Sequence, residues 1–306
     1  LGGLALPDDG LLARCDDGTV RVAAGRVGGI VQFGPADGKA VFWFHGTPGG
    51  RRQVPPAARR AAVEYGVRLI GIERPGTGGS TGHLYADIRA YADDIAAVAD
   101  ALEIDRFGVI GLSGGGPYVL ACAHELPQRV VGAVVLGGVA PTVGDDAMDG
   151  GIVDLTRRLR PLIDLARQPL GIALTVLARL LKPVGPQATA LYSRISPPGD
   201  REAFASPGMQ EMFLDDLNGA AARGGLGAVT ADLALFGRHW GFSVGDIQVP
   251  VRFWHGDADN IVPLHHAEIL ADRVPNAELH VRPGESHIGT LVVGDEAVRT
   301  VVALWR

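Results

Sequence analysis

The chain has 306 residues, 47% of them hydrophobic and 20% charged, with a formal net charge of −6. That apolar content is enough to offset chain entropy, which excludes a disordered chain. The acidic balance leaves no electrostatic footprint for nucleic acid or for an anionic membrane, and the basic clusters Arg51-Arg52 and Arg157-Arg158-Leu159-Arg160 read as solvated helix faces.

The opening residues, Leu1-Gly-Gly-Leu-Ala-Leu-Pro-Asp-Asp9, lack a basic region followed by a long apolar stretch, so no secretory signal is expected. The only cysteines, Cys15 and Cys122, fit no metal or redox motif, and Cys122 sits in an Ala-Cys-Ala setting suited to a buried thiol. A cytoplasmic protein without metal or organic cofactor is expected.

A short apolar run at 40–44 (Ala-Val-Phe-Trp-Phe) stops at His45-Gly46, and a second at 67–72 stops at Glu73-Arg74-Pro75-Gly76. Residues 107–111, 130–136, 249–254 and 277–281 repeat the pattern. Such runs, rich in β-branched and aromatic residues and stopped by Gly or Pro, predict buried strands. Ile88, Tyr91, Ile95, Val98 and Leu102 recur at steps of three and four and predict a helix between the second and third strands. Further helices are expected at 116–125, where Pro117 lies in the first turn, at 264–274 and at 290–304. Strands alternating with helices imply an α/β fold with a mostly parallel central sheet flanked by helices.

The alternation breaks between 142 and 245. That stretch shows helix-like segments at 152–165, 170–181, 209–218 and 226–238, with Pro161 expected to kink or divide the first. It reads as a helical cap inserted into a core formed by 1–141 and 246–306. The run 169–181 suggests either an apolar ceiling over a pocket or simple core packing. Its apolar part is short and interrupted by Arg179, so no membrane span is expected.

Three pentapeptides have the form Gly-x-Ser-x-Gly, centred on Ser80, Ser113 and Ser243, where composition alone predicts roughly 0.15. The chemistry requires a serine on a tight turn between a strand and a helix, where glycines relieve crowding and the helix N-terminus favours negative charge. Ser113 has a strand before it and a helix after it. Ser80 follows a Pro-Gly-Thr-Gly loop and Ser243 leads into a polar turn, so neither qualifies.

A serine hydroxyl needs a base, and the base needs an acceptor that fixes its tautomer. His287 follows the last strand, at the same sheet edge as Ser113. His265 and His266 begin a helix and lack a further ligand at zinc spacing. Asp257 and Asp259 both leave the penultimate strand, and spacing alone does not separate them; Asp257 could equally cap its own turn.

The segments Phe44-His45-Gly46-Thr47-Pro48-Gly49, Glu73-Arg74-Pro75-Gly76-Thr77-Gly78-Gly79-Ser80, Gly111-Leu112-Ser113-Gly114-Gly115, Gly256-Asp257-Ala258-Asp259 and Gly284-Glu285-Ser286-His287 resemble the α/β-hydrolase superfamily, and occur in its order. The resemblance implies Ser113 as nucleophile, His287 as base and Asp259, rather than Asp257, as the acid. It also implies an oxyanion hole from the backbone N–H groups of Thr47 and Gly114; Pro48 has no N–H to offer. The turn at Arg74-Pro75-Gly76 reads as support behind that loop. A serine nucleophile disfavours the dehalogenases and epoxide hydrolases of this fold, which use aspartate. A carboxylic ester hydrolase acting on a small-molecule substrate is the expected activity. The alternatives are carbon–carbon bond hydrolysis, perhydrolase or haloperoxidase chemistry, proline-iminopeptidase-like cleavage with Glu211, Asp215 or Asp216 binding an amine, and a ligand-binding protein without turnover.

Overall fold

The computed structural model describes residues 17–305, so Cys15 and the opening residues lie outside the described residues. Eight strands form one sheet: β1 (Gly18–Arg21), β2 (Val27–Phe33), β3 (Lys39–Phe44), β4 (Val67–Ile72), β5 (Phe107–Leu112), β6 (Val130–Leu136), β7 (Val251–Gly256) and β8 (Ala277–Arg282). Their order is β1-β2-β4-β3-β5-β6-β7-β8. From β4 to β8 every neighbour is parallel, while β1 and β2 add an antiparallel edge. The expected α/β fold is therefore present.

Helices cover both faces, because strands buried on both sides need two apolar layers. On one face α2 (Tyr91–Ala101), α3 (Gly116–Glu125) and α9 (His265–Arg273) bury Ile95, Val98, Val119 and Leu270 against Phe42, Phe107 and Phe253. On the other, α1 (Pro56–Glu64) and α10 (Gly294–Ala303) bury Ala58, Ala62, Val298 and Val301 against Val41, Trp43 and Ile110. The last helix thus begins at Gly294, after a short 3-10 turn at Gly289–Leu291.

β1 and β2 escaped the sequence reading because Gly28 and Gly29 dilute the apolar pattern of β2. Gly29 makes room for a buried pair: a Cβ there would lie 2.0 Å from Glu73 Oε2. Arg51 reaches Glu73 at 3.0 Å and also binds Asp17. Arg51 is therefore buried, not on a solvated face as expected, and its charge is matched by two carboxylates.

Between β6 and β7 the chain forms α4 (Gly151–Leu181), α5 (Gly185–Ile195), α6 (Pro198–Ala205), α7 (Met209–Arg223) and α8 (Gly227–Phe236). Pro161 does not divide the helix, and α4 continues through both Pro161 and Pro169. Each proline removes one hydrogen bond, and both lie on exposed turns where water can serve the carbonyls left over. The segment Arg157–Tyr192, through α4 into α5, is long and apolar enough by length and composition to cross a membrane. The run 169–181 taken by itself is shorter than that. Nor does that run pack inward: Ile172, Val176, Leu177, Leu180 and Leu181 are exposed, while small residues face α8. Gly171 lies so close to Gly227 that a Cβ on it would sit 3.3 Å from the Gly227 Cα.

Candidate active site

β5 runs straight into the turn at Ser113, whose φ of +50° is rare for a side-chain-bearing residue. The flanking glycines are required by close approach. A Cβ on Gly111 would meet the Gly115 carbonyl oxygen at 2.7 Å, and one on Gly115 would meet that of Phe44 at 2.4 Å. α3 then leads away from the turn, placing its N-terminus beside Ser113. The other two serines are occupied structurally. Ser80 Oγ accepts from the Gly29 N–H at 2.9 Å and donates to the Glu73 carbonyl, and Ser243 Oγ donates to Asp146 at 2.9 Å.

His287 Nε2 lies 2.8 Å from Ser113 Oγ, and its Nδ1 lies 2.7 Å from Asp259 Oδ2. An ionised carboxylate only accepts, so Nδ1 carries the proton and Nε2 is left to accept from the serine hydroxyl. Asp259 Oδ1 takes the Ile261 and Val262 N–H groups, each at 2.8 Å. Burial alone would raise this carboxyl, but the His255 and His287 side chains and the Val262 N–H outweigh it and hold the group well below the usual carboxylate range. Asp257 points elsewhere: it accepts the Gly284 N–H at 2.7 Å in an exposed turn. Sequence reasoning missed His255, which is buried, donates from Nε2 to the Val262 carbonyl at 2.7 Å and lies 3.4 Å from Asp259. As an isolated histidine inside a strand it carried no spacing signal.

Thr47 and Gly114 meet beside Ser113, where a Cβ on Gly114 would lie 2.3 Å from Thr47 Oγ1. Arg74 holds this loop from behind. Its guanidinium donates to the carbonyls of His45 at 2.6 Å and Gly46 at 2.8 Å, to Thr47 Oγ1 at 2.9 Å and to Asp232. Asp232, on α8, also accepts from Thr47 Oγ1 and from the Tyr118 hydroxyl, both at 2.6 Å. The turn at Arg74 therefore supports the loop through its charged side chain, beyond the glycine-based role read from sequence. The signal for Asp232 was a single carboxylate in the otherwise apolar helix α8. His45 completes the arrangement. Burial, then the nearby Arg74 charge, push its pKa well below the ordinary value, so it stays neutral, with Nδ1–H donating to the Gly46 carbonyl and Nε2 accepting from the Arg74 N–H.

A cavity of about 540 Å³ opens onto Ser113 and His287, and Thr47 and Gly114 also line it. Its roof comes from α5 (Ala188, Tyr192), α6 (Phe204), α7 (Phe213) and α8 (Leu233, Phe236). No residue of 169–181 lines it, so the expected apolar ceiling is supplied by other helices. Of the carboxylates considered for amine binding, Asp216 lines the cavity but is engaged by the Gly50 and Arg52 N–H groups at 2.8 and 2.9 Å. Asp215 pairs with Arg52, and Glu211 is exposed. Asp200, opening α6, accepts the Ile288 and Gly289 N–H groups at 2.7 and 3.0 Å, just after His287.

A family profile described as alpha/beta hydrolase fold matches residues 39–292. The chain is 26% identical over 264 residues to a bifunctional esterase/perhydrolase of Acinetobacter calcoaceticus, covering 84% of this chain and 87% of that protein. It is 25% identical over 203 residues to a 2-hydroxy-6-oxo-2,4-heptadienoate hydrolase of Pseudomonas putida, of which the match spans 63% and covers 65% of this chain. The structure is similar to an esterase from Exiguobacterium antarcticum with a TM-score of 0.67 at 20% identity, covering 94% of this chain and 98% of that one.

Proposed function

The chain belongs to the alpha/beta hydrolase family, and from that premise we propose that it hydrolyses a small, uncharged, partly lipophilic carboxylic ester through an acyl-enzyme on Ser113. Ser113 Oγ attacks the ester carbonyl as His287 Nε2 takes its proton. The oxygen that becomes negative is received by the backbone N–H groups of Thr47 and Gly114. His287 then gives the proton to the departing alcohol oxygen as its bond to the acyl carbon breaks. Water, deprotonated by the same imidazole, attacks the acyl carbon, and collapse of that intermediate frees the acid and restores Ser113. Asp259 keeps the imidazole in the required tautomer throughout.

The observation carrying this reading is the relay from Asp259 through His287 to Ser113, at 2.7 and 2.8 Å. Residues 142–245 act as the cap and the flanking segments, 1–141 and 246–306, as the catalytic core. The largely apolar roof favours a lipophilic acyl group. An amine-binding role is disfavoured, because Asp216 already takes two backbone donors. Likeness to an esterase/perhydrolase makes hydrogen peroxide a second candidate acyl acceptor.

A panel of p-nitrophenyl esters of increasing chain length, run beside proline amides and with and without peroxide, tests the proposal. Ester turnover that vanishes in Ser113→Ala is the expected result. Cleavage of proline amides without ester turnover would overturn it.

A further inference from the structure

Of the eighteen large apolar side chains exposed among the described residues, thirteen lie between Leu159 and Ile195. Leu165 is 84% exposed, Ile195 76% and Leu180 70%. Such a concentration of exposed apolar side chains on a globular protein marks a contact face. The same segment, 157–195, contains seven arginine or lysine residues and one carboxylate, Asp164, in a chain whose formal charge is −6. Arg160 and Arg238 engage that carboxylate, Arg157 pairs with Asp149, and Arg179 donates inward to the Ala221 carbonyl, which leaves Arg158, Arg167, Lys182 and Arg194 as the segment's remaining cations. The segment thus carries exposed apolar side chains together with an excess of four cations.

We propose that the outer face of α4 and α5 docks onto an anionic lipid surface. Apolar side chains flanked by cations are the pattern by which a helix lies in a bilayer interface, apolar groups entering the acyl boundary and cations meeting lipid phosphates. α4 lies along the surface instead of crossing it, because its inner side is fastened to the domain. Thr175 Oγ1 accepts the Leu226 N–H at 3.0 Å, and Arg179 donates to the Ala221 carbonyl at 2.8 Å. A second copy of the chain fits the face poorly. Two-fold pairing sets the same patch against itself, bringing cation against cation. α5 joins the two regions: Ala188 and Tyr192 line the cavity over Ser113, while Leu191 and Ile195 point outward. A docked bilayer therefore lies next to the cavity roof, where lipophilic esters would leave it; this extension rests on the proposed function, whereas docking itself does not.

Cosedimentation of the full chain with vesicles tests the docking. Binding is expected to vesicles containing phosphatidylglycerol and to be at least about tenfold weaker on phosphatidylcholine alone or in high salt. Leu165→Glu combined with Leu180→Glu is expected to weaken binding by at least about tenfold. Hydrolysis of a short soluble ester should be unchanged in that variant, which also reports that it folds. Ser113→Ala should bind as the unmodified chain does; if the unmodified chain sediments with vesicles but hydrolyses nothing, the catalytic reading fails and the docking stands. Equal binding to neutral and anionic vesicles, or none to either, would overturn the proposal. So would a dimer in analytical ultracentrifugation that the Leu165/Leu180 variant converts to monomer.

Discussion

The carboxylate of Asp232 meets the guanidinium of Arg74 at 2.7 Å, and the two side chains are only 3% and 2% exposed. One belongs to the helices inserted between β6 and β7 and the other to the loop after β4, so the pair ties the insertion to the sheet behind Thr47. Removing one partner leaves an uncompensated buried charge. Asp232→Ala is expected to destabilise the fold by about 3–5 kcal/mol, read by urea unfolding. Thr47 loses the same support, and kcat should fall by about 10². Unfolding within about 1 kcal/mol of the unmodified protein would refute the assignment.

Ser113→Ala is expected to abolish labelling by a fluorophosphonate probe and to lower kcat by about 10⁶. The proposed mechanism makes Ser113 and His287 one unit, so adding His287→Ala should lower it little further. A double variant far slower than either single one would mean that the two residues act separately.

The two aspartates after β7 should behave differently. Asp259→Asn leaves the wrong tautomer at His287, and a loss of about 10⁴ in kcat is expected. Asp257→Asn weakens one exposed hydrogen bond to Gly284, so kcat should stay within about threefold and stability within about 1 kcal/mol. Steady-state kinetics on the two variants discriminate; equal losses would contradict the geometry.

Asp216 predicts a pH effect. Burial pushes its carboxyl up to about 7, against the opposing Gly50 and Arg52 N–H groups, from an ordinary value of 3.8. Between those values the folded chain holds a proton that the unfolded chain has lost, so this group's stabilising contribution declines as pH rises from about 4 to about 7. The stability advantage of the unmodified protein over Asp216→Asn should shrink across that window by at most ~4 kcal/mol. Urea unfolding of both proteins from about pH 5 to about pH 8 checks the sign. An advantage that grows with pH would reverse the assignment.

The parallel strands from β4 to β7 were legible in the sequence because each is a short run of buried apolar residues closed by Gly or Pro, whereas β8, expected to be buried, is an edge strand with no buried residue. The Ser113 turn was legible because the strand before it and Pro117 after it restrict the chain to one geometry. The supports of the site were not. His255, Arg74 and Asp232 act through contacts between segments as many as 185 positions apart, and no local period encodes such pairing. The inserted helices misled for a related reason: most of the large apolar residues of α4 point away from the rest of the chain, and only the small side chains Gly171 and Thr175 tell which side faces α8.

Asp200, Asp216 and Asp232 each bind the core's loops, at Ile288 and Gly289, at Gly50 and Arg52, and at Arg74 and Thr47 respectively. A roof pegged at three points along its downstream half does not lift as one plate. α5 roofs the same chamber and has no acidic residue with which to be pegged. The three pegs instead hold α6, α7 and α8 in register with the loops that carry the reacting groups.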